Sequence, residues 1–258
     1  MAEGEKYRIE VLAVALDVID YLMVHAGEPQ RPTDIARALG INRTRAFRIL
    51  KTLEDKEFAI ADPESGQWRL SLKCLEIGER IREKYDVRQV AIPFVTKLAQ
   101  QTGDWVEIVT LDRDSAVIID GRRGGHRLQV TSGIGQRFPL HVGASPKLLL
   151  AFSPQEQQER LLRSLDLTPY TLKTITDRGE LRRRLGEIRA EGYAVDEGEY
   201  EDDICSVCAP IRDHVGQVIA GLTVSMPASR FNRRRRQEMA AMVVDTAERI
   251  SARYRRPP

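Results

Sequence analysis

Between Gly40 and Lys51 the chain carries Arg43, Arg45, Arg48 and Lys51 and no acidic residue. Residues three or four apart share one face of a helix. An arginine fork grips guanine O6 and N7 together, and any basic side chain can hold a phosphate. Contact with a nucleic-acid groove is one chemistry open to this run; a solvated basic face is the other. A second group lies far downstream. In the strand-like run 217–225, Thr223 and Ser225 share a face with Gly221, which leaves room beside the two hydroxyls. Gly143-Ala144-Ser145-Pro146 reads as a helix start, with Ser145 as N-cap and Pro146 in the first helical position. Free N–H groups at such a start favour an anion. These hydroxyls either touch a ligand or only cap a helix and fill a strand face.

Other chemistries find less support. Cys205-Ser206-Val207-Cys208 has the spacing of zinc and thiol-redox motifs. It falls in a predicted strand, where residues three apart face opposite sides. No second cysteine pair follows, and His25, His126, His141 and His214 make no spaced ligand motif. No metal and no cofactor is expected. His141 reads as a structural hydrogen-bonding residue. Gly133-Ile134-Gly135 lacks the third glycine of a dinucleotide fingerprint, and there is no Gly-x-Ser-x-Gly or Walker sequence. No catalytic residue is therefore assigned. Two alternatives stay in view: a thiol redox sensor using Cys205 and Cys208, and an enzyme pairing Cys208 with His141 or His214 behind a docking domain. Arg233-Arg234-Arg235-Arg236 opens the last helix after Asn232, against the helix dipole. It is either a solvated face or a contact with a partner copy or a phosphate.

Elements must position these groups. Leu12, Leu16, Ile19 and Met23, widened by Ala15 and Leu22, predict a first helix over 8–25 with one apolar stripe, stopped by Ala26-Gly27-Glu28-Pro29. A short helix follows from Pro32 or Thr33 to Leu39, broken at Gly40. Asn42 caps a third helix to about residue 57, with Ala46, Ile49, Leu50 and Leu53 inward. Phe47 sits either at the core edge or against a thymine methyl. The runs 58–61 and 67–70 flank Asp62-Pro63-Glu64-Ser65-Gly66 and predict a hairpin. Its Gln67 and Arg69 either reach phosphate or the minor groove, or only decorate a turn. Three helices and a hairpin in this order predict a winged helix-turn-helix whose third helix enters the major groove. A charged helix over 72–84 reads as a linker.

From Asp86 the pattern changes. A helix over 87–101 precedes strands at Trp105–Leu111, Ala116–Gly121 and Arg127–Ser132. Helices then open near Ser145 and Ser153 and span 177–191. Strands at Tyr193–Asp196, Ser206–Ile211 and Gln217–Ser225 precede a final helix from Asn232. The order predicts an α+β fold with an antiparallel sheet. Residues 1–70 form the winged domain, 71–86 the helical linker and 87–258 the second domain. Length, 42% hydrophobic and 30% charged content fit a folded globular chain of 258 residues. Net charge is only +2, so any nucleic-acid contact rests on local clustering. No apolar run approaches the roughly 20 residues of a membrane span, and the N-terminus lacks signal-peptide features. Three cysteines suit a reducing, cytoplasmic setting.

The chain resembles the IclR family of bacterial regulators. The helix-turn-helix carries the likeness in 33–41 and 42–50, and the wing in 62–70. The second domain carries it at Phe138-Pro139-Leu140-His141, Thr174-Ile175-Thr176-Asp177, Glu191-Gly192-Tyr193-Ala194-Val195-Asp196 and Val224-Ser225-Met226-Pro227-Ala228-Ser229-Arg230. The resemblance implies a GAF-like effector-binding domain, a homodimer or tetramer, double-stranded operator DNA as partner, and a small organic acid as effector. It places Thr33, Asn42, Arg43, Thr44, Arg45, Arg48, Lys51 and Arg69 at DNA. It places Ala144, Ser145, Asp196, Ile204, Ser206, Thr223 and Ser225 at the effector, with Leu128, Val130 and Phe138 as an apolar wall. Two departures stand out: Thr44-Arg45 replaces the usual Ser-Thr pair, and Ser206 stands where the family often has Cys.

Overall fold

The computed structural model describes residues 9–26, 28–82, 86–128, 130 and 132–255. Contacts divide the chain into two compact units, Met1–Lys84 and Tyr85–Pro258.

In the first unit, α1 (Glu10–Val24), α2 (Pro32–Ala38) and α3 (Arg43–Asp55) precede the hairpin strands β1 (Ala59–Ala61) and β2 (Trp68–Leu70) and helix α4 (Leu72–Arg82). Pro32 starts α2 where its missing N–H costs nothing. Gly40 takes φ 64°, which lets the chain turn tightly into α3. As expected, Asn42 caps α3: its Oδ1 accepts the Arg45 backbone N–H at 2.8 Å. Asp62 Oδ1 accepts the N–H groups of Glu64 at 2.9 Å and Ser65 at 2.8 Å, which shapes the hairpin turn. Val18, Leu22, Ile35, Ile49, Leu50, Leu53, Ala59 and Trp68 form the core. The predicted stripe on α1 is corrected here. Leu12, Leu16 and Met23 are exposed, whereas Leu22 is buried and Ala15 and Ile19 pack against the core as read, joined by Val18, which the stripe left out. The sequence Glu-Val-Leu-Ala-Val-Ala-Leu-Asp-Val-Ile-Asp-Tyr-Leu-Met-Val is apolar on more than one face, so periodicity alone could not choose between them. Gly27, Lys84 and the residues before 9 lie outside the described residues.

In the second unit, α5 (Asp86–Thr102) leads into β3 (Trp105–Asp112), β4 (Ser115–Arg122) and β5 (Arg137–Pro139). Then come α6 (Ala144–Phe152), α7 (Gln155–Ser164), α8 (Arg178–Glu191), β6 (Ala194–Glu197), β7 (Ile204–Arg212), β8 (Val218–Pro227) and α9 (Arg233–Tyr254). The sheet order is β5-β4-β3-β8-β7-β6, antiparallel at every pairing. Side-chain alternation sends Val106, Ile108, Val207, Leu222 and Val224 to a core shared with α5 and α9. Val109, Ala194 and Cys208 face the other way, toward α6 and α8. Among the described residues of the expected strand Arg127–Ser132, none lies in a strand. Gln129 and Thr131 lie outside the described residues. The neighbouring backbone bonds elsewhere: the His126 N–H to Gly103 O at 3.0 Å, and Leu128 O to Arg230 Nη1 at 3.1 Å. The partner that β4 takes is Arg137–Pro139.

Three of the four arginines opening α9 have local acids. Arg234 meets Glu238 at 2.9 Å, Arg235 meets the buried Asp104 at 3.2 Å, and Arg236 meets Glu197 at 2.7 Å. Asp104 also pairs with Arg230. These partners offset the unfavourable helix dipole.

Candidate nucleic-acid interface and effector cavity

The capped N-terminus of α3 and its inward residues fix which side chains stay outside. Ala46, Ile49, Leu50 and Leu53 are buried, and Arg43, Thr44, Arg48 and Lys51 are exposed around them. Arg43 and Arg48 make no ion pair among the described residues. Arg45 is half-buried and meets Glu10 Oε1 at 3.5 Å, a contact a partner anion could displace. Lys51 pairs with Glu54 at 2.7 Å and lies 5.6 Å from the Trp68 ring centroid. Phe47 is 45% exposed. Its ring meets Trp68 edge-on, with centroids 6.4 Å apart. It sits at the core's rim and still presents one side outward. Thr33, Asn42 and Arg69 are exposed as well. The first unit thus presents a cationic helix face beside a hairpin, with Arg43 and Arg48 free of ion pairs among the described residues.

In the second unit, β3, β8, β7 and β6 present two rows of side chains toward α6. One row is Trp105, Ser225, Ser206 and Asp196; the next is Glu107, Thr223, Cys208 and Ala194. A cavity of about 510 Å³ lies over these rows. All ten residues expected at the effector line it: Leu128, Val130, Phe138, Ala144, Ser145, Asp196, Ile204, Ser206, Thr223 and Ser225. Sequence reasoning missed Glu107, Gln136, Tyr200, Glu201 and Asp203, which line it too. A glutamate inside Trp-Val-Glu-Ile-Val, on a strand buried on both sides, was the available signal.

The start of α6 differs from expectation. Gly143 is the N-cap, at φ 82°, and Ser145 makes no capping bond. Ser145 and Pro146 are the second and third helical residues, because the left-handed glycine turns the chain into the helix earlier. The N–H groups of Ala144 and Ser145 therefore precede the first intrahelical bond and sit at the cavity wall. The Ser145 hydroxyl is left for the cavity.

Charge in the cavity is one-sided. Glu107, Asp196, Glu201 and Asp203 line it, and among the described residues no lysine, arginine or histidine does. The fully buried Lys147 is paired with Glu199. Burial pushes the Glu107 carboxyl up to about 7 against a hydrogen bond from Trp105. Burial likewise pushes Asp196 up to about 6, although its carboxylate accepts the Glu199 N–H. Burial holds Cys205 near 11 and Cys208 near 12, so both thiols stay protonated, and alternation on β7 sends them to opposite faces. His141, also buried, donates from Nε2 to Thr168 O at 2.9 Å, the structural role read for it. Among the described residues no cluster could hold a metal ion.

The family description "IclR helix-turn-helix domain" matches residues 11–63, and "Bacterial transcriptional regulator IclR C-terminal" matches residues 80–252. The HTH-type transcriptional regulator Rv1719 of Mycobacterium tuberculosis is 34% identical over 244 residues, covering 95% of this chain and 92% of that one. The HTH-type transcriptional regulator KdgR of Escherichia coli is 31% identical over 220 residues, covering 85% and 84%. The crystal structure of a transcriptional regulator from Alicyclobacillus acidocaldarius matches at TM-score 0.80 and 29% identity, covering 96% of this chain and all of the other.

Proposed function

The chain belongs to the IclR family of bacterial transcriptional regulators, and from that premise we propose that a small organic acid in the cavity beside α6 controls how α3 engages operator DNA. It is a DNA-binding regulator, not an enzyme. Arg43, Thr44, Arg48 and Lys51 lie along the groove, joined by Arg45 once Glu10 releases it. Thr33 and Asn42 approach phosphate, and Arg69 on the wing meets phosphate or the minor groove. Two copies, or two pairs of copies, occupy the half-sites of one operator in the cytoplasm.

One observation supports the effector half of this reading above others. The free N–H groups of α6 meet the hydroxyls of Ser145, Ser206, Thr223 and Ser225 around a single cavity. A carboxylate fits the helix N-terminus, and the remaining cavity takes its carbon skeleton against Phe138, Leu128 and Val130.

The test starts with genomic footprinting of the purified chain, followed by anisotropy titration on a recovered fragment. A panel of small organic acids should contain at least one that shifts the Kd, and Ser145→Ala should blunt that shift. No preferred fragment over bulk DNA would sink the regulatory half. Thermal stabilisation by long lipids or simple cations, and by no organic acid, would sink the effector half.

A further inference from the structure

A lone carboxylate-binding site leaves the cavity floor unexplained. Glu107 is only 4% exposed, yet it lines the cavity. Its Oε2 accepts the Trp105 indole N–H at 2.6 Å. No cation pairs with it among the described residues. The adjacent Thr223 hydroxyl is buried and reaches only the weak thiol of Cys208. The Trp105 ring is itself held in place by the absence of a side chain at Gly121, where a Cβ would stand 2.2 Å from the indole. The arrangement therefore aims a fixed carboxyl and an unmatched hydroxyl into the cavity.

The titratable groups that share the cavity with Glu107 offer it no counter-charge among the described residues. Asp196 comes from β6, Cys208 from β7, and Tyr200, Glu201 and Asp203 from the connection between them. All are acids. On α6 the Lys147 ammonium is taken by Glu199. A buried carboxylate without a cation is costly, so an empty cavity keeps a proton on it or waits for a positive group. A ligand carboxylate belongs at the opposite wall, at the N–H groups of Ala144 and Ser145.

We propose that Glu107 is a specificity-determining residue that receives a protonated amine, so that the effector is an amino-carboxylate rather than a plain acid. This rests on the organic-acid reading above and narrows it. The acid end meets α6, and the ammonium end replaces the proton on Glu107 and hydrogen-bonds Thr223. With Glu107 titrating near 7, a cationic ligand favours the ionised carboxyl. Its affinity should rise about tenfold between about pH 6 and about pH 8. A plain carboxylate favours the protonated form, and its affinity should fall over the same interval.

Calorimetry on the full chain tests this with matched probes. These are 4-aminobutyrate against butyrate, 4-(aminomethyl)benzoate against 4-methylbenzoate, and pentylamine as an amine without an acid. At least one amino acid should bind about tenfold or more tightly than its plain partner. Glu107→Gln, which can still accept from Trp105, should abolish that preference and flatten the pH profile. Plain acids binding as well as their amino partners would overturn this proposal and leave the organic-acid reading standing. Pentylamine binding in a Glu107-dependent way, with no acid binding, would overturn the organic-acid reading and keep the role of Glu107. Binding by no probe at millimolar concentration counts against both. Should Glu107→Gln fail to fold, the opposite pH slopes of the two wild-type series still decide.

Discussion

Replacing Lys147 by Met is the sharpest test of how the effector cavity is held together. The Lys147 side chain is wholly buried, and its partner Glu199 keeps 14% of its surface exposed. The pair pins α6 to the segment after β6, where the Asp196 carboxylate accepts the Glu199 N–H at 2.9 Å. Met fills most of the volume and removes the charge. Glu199 is then left unpaired and mostly desolvated, with one oxygen already lacking a partner. Losing one member of a buried pair costs about 3–5 kcal/mol, and the remaining exposure of Glu199 points to the lower end, ~3 kcal/mol. For a unit the size of Tyr85–Pro258, each kcal/mol moves Tm by about 2–4 °C. The expected fall is therefore roughly 6–12 °C by calorimetry. Adding Glu199→Gln removes the stranded charge and should restore at least half of the loss, because the two sites share one interaction. A fall below about 2 °C, or a double variant worse than the sum of the singles, would refute the reasoning.

Three further outcomes are expected. Asn42→Ala removes the cap of α3, should cost about 1 kcal/mol of stability in chemical denaturation, and should weaken DNA binding through fraying of the recognition helix. Arg48→Ala should weaken binding to every sequence if Arg48 holds phosphate, with the salt slope reduced by about one; Arg45→Ala should instead cost about 1–3 kcal/mol and relax one base position if Arg45 reads a base, both seen in filter binding with operator variants. Burial raises Glu107 from 4.5 to about 7 and Asp196 from 3.8 to about 6. The folded state thus holds more protons than the unfolded one across that interval. Their contribution is complete below the unfolded values and is lost as pH rises through the folded ones. Tm of the ligand-free protein should fall between about pH 5 and about pH 8, and Glu107→Gln should shrink that fall.

The winged head was readable because its signals are local. Gly40 needs a left-handed turn, Asn42 caps the helix that follows, and Asp62 to Gly66 turn the hairpin; each acts within a few residues of itself. The cavity residues were named through family resemblance, and strand alternation accounts for Thr223 and Ser225 sharing a face. Misreadings came where several local answers were equally good. The apolar surround of α1 drew the stripe too wide, and packing kept Ala15, Ile19 and Leu22, added Val18 and left Leu12, Leu16 and Met23 outside. Ser145 and Gly143 both could begin α6, and the glycine's left-handed turn prevailed. The run 127–132 could extend, but the Leu128 carbonyl accepts from Arg230 and the preceding His126 N–H goes to Gly103.

The amino-acid order by itself determined most of the elements, the Asn42 cap and the charge on α3, since these depend on neighbours a turn or a strand-step away. Only the tertiary structure decided that four strands and a helix start would close around Glu107 and Asp196 with no cation among the described lining residues. That environment is built from residues far apart in the chain, and desolvation, which sets the charge of those carboxyls, exists only once the strands have come together.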